Sequence, residues 1–210
     1  MISDIFFILQ LFYALALAGV SPSACDPTGK ASKGATVKFY GYPLLDKVSY
    51  NQQDFLLGGY QNNGLITTLN GVTSINYDSG WPNPKVPYNT PGISVTNFTM
   101  EVTGYFLAPQ TGVYQTQVEG DDSVTLFIGA GQAFDCCAQT VPFKADTFIS
   151  TNVGSAGAGL VPTTHETYMQ KGLYYSIKLV YINYMERAAL NLAMKLPDGS
   201  SLAEVGPYLH

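Results

Sequence analysis

Two adjacent aspartates, Asp121 and Asp122, follow Gly120 between two apolar stretches of the chain. Carboxylate oxygens are hard donors of the kind that Ca²⁺ selects. Neighbouring side chains on a regular strand point to opposite faces. The pair can therefore grip one ion only where a turn or a cis peptide bond brings both carboxylates to one side. A solvated turn is the plainer reading of the two residues alone. Other chemistry is sparse. His165 and His210 are the only histidines, and His165 has no Gly-x-Ser-x-Gly nearby with which to build a nucleophilic triad. A zinc ligand set, a P-loop and a Gly-rich dinucleotide fingerprint are all missing. The acidic residues are too scattered to mark a glycosidase pair. These observations argue against an enzyme.

Three cysteines, Cys25, Cys136 and Cys137, form an odd set. Adjacent cysteines rarely bond each other because the resulting ring is strained. Cys25 is expected to bond one of the pair, and the other then needs a partner beyond His210 or on another chain; a free buried thiol is the alternative. The stretch Ile5–Ala18 (IFFILQLFYALALA) is shorter than the roughly 20 residues of a membrane span and suits the apolar part of a secretion signal. Small residues follow, so residues 1–24 are expected to be removed, with cleavage between 18 and 24. The segment lacks the usual basic start and carries Asp4. Asn97-Phe98-Thr99 is the one N-glycosylation sequon, as a secreted chain would permit.

The elements that must hold these residues read as β-structure. The chain has 210 residues, of which 46% are hydrophobic, 13% aromatic and only 12% charged. That excludes disorder and helical bundles. A net charge of −5 without a basic patch excludes nucleic acid as a partner. Alternating runs over residues 35–42, 98–106, 113–118, 173–181 and 190–196 read as strands, with shorter candidates at 56–60, 65–69, 74–77, 124–128 and 167–170. Pro109–Gly112 and Pro197–Gly199 read as turns, and residues 152–160 as a Gly-rich loop. Trp81–Gly92 holds four prolines and the only tryptophan, and cannot be a central strand. Residues 25–210 are expected to form one all-β antiparallel sandwich.

Several motifs stand in order: Gly104-Tyr105-Phe106, Pro109-Gln110-Thr111-Gly112-Val113-Tyr114, Asp121-Asp122-Ser123 and Ala133-Phe134-Asp135-Cys136-Cys137-Ala138-Gln139. Gly172–Tyr181 and Leu196-Pro197-Asp198-Gly199 complete the series. With them the chain closely resembles the ligand-binding A-domains of yeast flocculins and epithelial adhesins. These form the GLEYA branch of the protective-antigen-type β-sandwich lectins, which carry long ligand-binding loops. The resemblance covers almost everything from Cys25 onward.

The resemblance implies a secreted, cell-wall-anchored and monomeric lectin domain forming the N-terminal part of a longer surface protein. It implies Ca²⁺ as cofactor and cell-surface glycans as partners, with no membrane insertion of the mature domain. In the family a cis Asp-Asp pair holds the ion, which carries over to Asp121 and Asp122. An asparagine after the late strand, here Asn183, adds a ligand. Two backbone carbonyls of the same loop, by position those of Met185 and Arg187, complete the set, and neighbouring sugar hydroxyls fill the open places. The cysteine pair is implied to bond Cys25 and a cysteine beyond His210. Glu186 and Arg187 fall at variable specificity positions, so they are candidate ligand contacts.

The chain also departs from the pattern. Residues 81–92 lack the flocculin cysteine-rich insertion, and residues 152–160 lack the tryptophan that often stacks on the sugar. Trp81 is the substitute candidate, a core position being its other reading. An aromatic wall that packs an N-acetyl methyl would make terminal N-acetylglucosamine, including chitin ends, a candidate ligand. Single-site affinity is expected in the millimolar to micromolar range, raised by multivalency. The rival readings are an accessory carbohydrate-binding domain of a secreted enzyme or toxin, and a protein-binding structural module.

Overall fold

A computed structural model describes residues 22–26, 32–43, 53–80, 82–130, 133–134, 150–153, 162–185 and 187–210. Two antiparallel sheets face each other. One has six strands in the order β2-β1-β4-β9-β6-β7. They are β1 (Ala35–Gly41), β2 (Leu65–Val72), β4 (Phe98–Leu107), β6 (Ser123–Ile128), β7 (Ser150–Val153) and β9 (Tyr174–Asn183). The other runs β11-β10-β5-β8, with β5 (Gly112–Asp121), β8 (Thr163–Met169), β10 (Ala189–Lys195) and β11 (Ser201–Leu202). A two-residue strand, β3 (Tyr77–Asp78), pairs with the start of β10. No helix among the described residues is long and apolar enough to cross a membrane.

The core between the sheets is built by alternation. Val37 and Phe39 of β1, Met100 and Val102 of β4, Leu126 of β6 and Leu179 and Tyr181 of β9 meet Tyr114 and Val118 of β5 and Leu190, Leu192 and Met194 of β10. The six-stranded sheet also buries its outer face. A second cluster there joins Tyr40, Tyr105, Phe127, Val180 and Ile182 to Cys25, Leu56, Tyr60 and Phe134. This is why β6 is buried along its whole length and β9 at every residue but its first. A strand covered on both faces carries a near-continuous apolar run rather than strict alternation.

The strands expected at 98–106, 113–118, 173–181 and 190–196 are present; the first two run further, the third is shifted to Tyr174–Asn183 and the fourth to Ala189–Lys195. One expectation is corrected. Leu56–Tyr60 is no strand: Gln53–Leu57 forms a short helix and Gly59–Asn63 a 3-10 turn. Leu56 and Tyr60, four residues apart, both turn inward onto the outer face of the six-stranded sheet. Residues 74–77 give a strand only at Tyr77. The proline-rich segment is irregular apart from a 3-10 turn at Pro87–Asn89, as its prolines require.

Candidate functional site

The end of β5 and the start of β6 meet at Asp122, the single residue between them. The Asp121–Asp122 peptide bond is cis. Asp121 is buried at 3% exposure, and its carbonyl accepts the hydroxyl of Tyr181 on the neighbouring sheet. Burial, more than the nearby charges of Asp121 and Asp122, pushes the Tyr181 phenol well above its usual range. It therefore stays a neutral donor. Gly120 is required by close approach: a Cβ there would stand 2.9 Å from the Cβ of Val124 and 3.3 Å from a ring carbon of Tyr181.

The last residues of β9 supply the opposite side. Asp122 donates its N–H to the carbonyl of Ile182 at 3.2 Å. Its Oδ2 accepts the N–H of Tyr184 at 2.6 Å and that of Met185 at 3.3 Å. Asn183 is fully buried. Its Nδ2 donates to the carbonyl of Val95 at 3.0 Å, whereas its Oδ1 has no hydrogen-bond partner among the described residues. A buried amide oxygen without a partner carries a desolvation cost of about 1–3 kcal/mol. A hard cation beside Asp121 and Asp122 would remove that cost, and carboxylate and amide oxygens are the donors Ca²⁺ takes. The residues present therefore fit the ion. Both N–H bonds to Asp122 arrive at one carboxylate oxygen, Oδ2.

The turn that precedes β4 braces this loop. Asn97 has a left-handed backbone, with φ of 58°. Its Nδ2 donates to the carbonyl of Tyr184 at 2.5 Å, and its Oδ1 accepts the hydroxyl of Thr96 at 3.0 Å. Thr99, the third residue of the sequon, is fully buried in β4.

Arg187 lies where its positive charge would oppose a cation. Its guanidinium instead grips Asp78 in a two-point contact, with Nε donating to Oδ1 at 2.8 Å. That contact, ahead of any desolvation, holds the Asp78 carboxyl below its ordinary range. The pair forms one wall of an open cleft of about 350 Å³ that also touches Asn76, Glu119 and Asn191. The Asp78 contact is the main cause that raises the Arg187 guanidinium, with the charge of Asp121 as a smaller contribution.

Among the residues expected from sequence, Asp121, Asp122, Asn183, Met185 and Arg187 are brought to one end of the sandwich by β5, β6, β9 and β10. Met185 projects into solvent at 41% exposure. Trp81, Glu186, Cys136 and Cys137 lie outside the described residues. His165 sits on β8 opposite Thr116 and has no part in this cluster. Val95, Asp78 and Tyr181 contribute to the site without having been expected, and Asn97, expected only as the acceptor of its sequon, joins them.

Residues 98–196 match the GLEYA domain family. The chain is 32% identical to flocculation protein FLO1 of Saccharomyces cerevisiae, aligning over 93% of its own length and 15% of that protein. Flocculation protein FLO9 of the same yeast is 29% identical over 94% of the chain and 18% of the relative. The chain thus spans less than a fifth of either relative. The epithelial adhesin 6 A domain of Candida glabrata, solved in complex with Galβ1-3GlcNAc, superposes with a TM-score of 0.77 at 25% identity. That superposition covers 91% of this chain and 92% of the adhesin domain. A PA14 sugar-binding domain from an RTX adhesin shares the fold, with a TM-score of 0.55 at 15% identity over 85% of this chain and 98% of that domain.

Proposed function

The chain carries a GLEYA domain and is homologous to the yeast flocculation proteins, and on that premise we propose that it is an adhesin domain rather than an enzyme and that it binds terminal glycans through Ca²⁺. Asp121, Asp122 and Asn183 would hold the ion, with the backbone carbonyls of Met185 and Arg187 as further donors. Bound there, the ion supplies open coordination places for two neighbouring sugar hydroxyls. The protein's own part is to fix the donors and to select the sugar. Asp122 ties the 183–185 loop to the β5–β6 junction, and Arg187 is held back by Asp78.

The observation that carries this reading is the fully buried Asn183 Oδ1, unpartnered among the described residues and next to a loop fastened to Asp122. The neighbouring adhesin domain solved with Galβ1-3GlcNAc makes terminal galactose the first ligand to test. Terminal N-acetylglucosamine, including chitin ends, is the second. The cellular setting follows the same reading: a secreted surface protein, with residues 1–24 removed and this domain exposed for adhesion. Cys25 is read as bonded to Cys136 or Cys137, in keeping with its burial at 4%.

The test is a glycan array run on the secreted domain with Ca²⁺ and again with EDTA. Binding to one class of terminal sugar that EDTA abolishes is the expected result. Glycan binding that persists unchanged in EDTA, or a folded domain that takes up no Ca²⁺ in calorimetry, overturns the reading.

A further inference from the structure

We propose that Asn97 is a positioning residue of the cation site and not a glycan acceptor. Two amide–carbonyl bonds run in opposite directions between the turn before β4 and the end of β9. Asn183 donates its Nδ2 to the carbonyl of Val95 at 3.0 Å, and Asn97 donates its Nδ2 to the carbonyl of Tyr184 at 2.5 Å. The two bonds leave successive residues of the site loop. The first turns the Asn183 amide so that its nitrogen is used and its oxygen is left over. The second fixes the peptide unit that immediately follows. That unit's own N–H, of Met185, is donated to Asp122 Oδ2 at 3.3 Å, beside the N–H of Tyr184 at 2.6 Å. Asn97, Tyr184 and Asp122 thus form one chain of contacts from the turn to the carboxylate.

Asn97 is itself held from three sides. Its backbone carbonyl accepts the N–H of Tyr42 at 3.1 Å, its Oδ1 accepts the Thr96 hydroxyl, and its φ of 58° lies in the left-handed region. Asn is among the few residues that adopt that region readily and hydrogen-bond locally from it. Such a residue suits a strut. A glycan would have to hang from the nitrogen that is seated against the Tyr184 carbonyl, on a half-buried side chain. The sequon of Asn97-Phe98-Thr99 is explained instead by structure. Asn97 serves the turn, and Thr99 lies fully buried in β4 as a β-branched strand residue.

The consequence for binding rests on the Ca²⁺ reading above; the consequence for the loop does not. Three measurements on protein secreted from a yeast host test both. Intact mass is expected to show no glycan at Asn97, and Thr99→Val, which destroys the sequon, is expected to leave both mass class and Ca²⁺ affinity unchanged. Asn97→Asp keeps the left-handed backbone but cannot donate to the Tyr184 carbonyl. It is expected to speed amide hydrogen exchange at Tyr184 and Met185 by about five- to tenfold, the worth of one lost hydrogen bond. It is also expected to weaken Ca²⁺ by roughly 10- to 100-fold, as loss of an outer-shell support does. An added carboxylate would tighten a cation on charge alone, so a fall in affinity reports position. A glycan on Asn97, or exchange at Tyr184 and Met185 unaltered in Asn97→Asp, overturns the inference. If the unaltered protein takes up no Ca²⁺, the ion reading fails and the exchange measurement still decides the role of Asn97.

Discussion

The carboxylate of Asp122 accepts the backbone N–H of Tyr184 at 2.6 Å, so one side chain serves both as a candidate cation donor and as the fastening of the loop that carries the other donors. The two roles separate by substitution. Asp122→Asn retains an oxygen that can accept from Tyr184 but removes a charge. It is expected to keep the fold and the loop while lowering Ca²⁺ affinity by roughly tenfold or more, since ligand charge sets affinity in such sites. Asp122→Ala removes both and is expected to abolish Ca²⁺ uptake and EDTA-sensitive glycan binding. Calorimetric titration with Ca²⁺, alongside far-ultraviolet circular dichroism, checks the pair. Equal affinity in Asp122→Asn and the unaltered protein would remove Asp122 from the ligand set.

The outer face of the six-stranded sheet holds a charged cluster far from the site in role. Glu101 is buried at 4% and accepts the Tyr60 hydroxyl, the Gln61 amide at 3.2 Å and the Lys38 ammonium at 3.4 Å. Lys178 lies 5.6 Å from the Tyr60 ring centre and 5.8 Å from that of Phe127. Burial lowers the Lys178 ammonium from its ordinary range, and the Glu101 charge opposes that fall. Glu101→Gln strips the balancing charge and weakens the bonds to it. A loss of about 2 kcal/mol in urea unfolding is expected, the range for a hydrogen bond to a buried charge. Glycan binding by the folded fraction should be unaffected, which separates this cluster from the β5–β9 site.

The tyrosines set the alkaline limit of stability. Burial first, and the Glu101 charge second, push Tyr40 up from 10.0 to about 12. Tyr60, Tyr77, Tyr88 and Tyr181 are also raised, in each case chiefly by burial. A raised folded pKa contributes stability that is complete below the unfolded value and lost as pH climbs through the folded one. Lys178, whose folded pKa is lowered, acts with the opposite sign below its unfolded value of 10.5, but it is one group against these five and Tyr114, which burial also raises. The urea midpoint is therefore expected to fall once pH passes about 10. Tyrosinate absorbance should lag behind that of free tyrosine until the fold gives way. Titration of every phenol near pH 10 in a protein that stays folded would contradict these assignments.

Strand positions were legible where alternation was long. β4, β5, β9 and β10 follow runs of six or more residues whose inward members are the core. The run at 56–60 was too short for its period to distinguish strand from helix. Its outcome depended on the sheet surface beneath it, where Leu56 and Tyr60 cover β4 and β9. Within the site, Asp121, Asp122 and Asn183 could be named from residue type and family resemblance. Their supports could not. Val95 and Asn97 act through bonds that span 88 and 87 residues, and Asp78 reaches Arg187 across 109. Such contacts are created by β9 and β10 lying beside distant loops, and no local pattern announces them.

The Asp78–Arg187 pair offers a last prediction, because its worth should appear in selectivity rather than in stability. Both side chains are well exposed, at 50% and 41%, and exposed ion pairs contribute little, commonly about 0.2–1 kcal/mol. Asp78→Ala is accordingly expected to leave the urea midpoint nearly unchanged. It would free the guanidinium, which now lines the cleft with Glu119 and Asn191, to swing toward Asp121 and Asp122. A mobile cation there competes with Ca²⁺, so affinity for the ion should fall and should recover in the double variant Asp78→Ala/Arg187→Ala. Arg187→Ala alone should retain Ca²⁺ but change which glycans are bound on the array. A double variant as weak for Ca²⁺ as Asp78→Ala would show that Asp78 acts on the site by some route other than restraining Arg187.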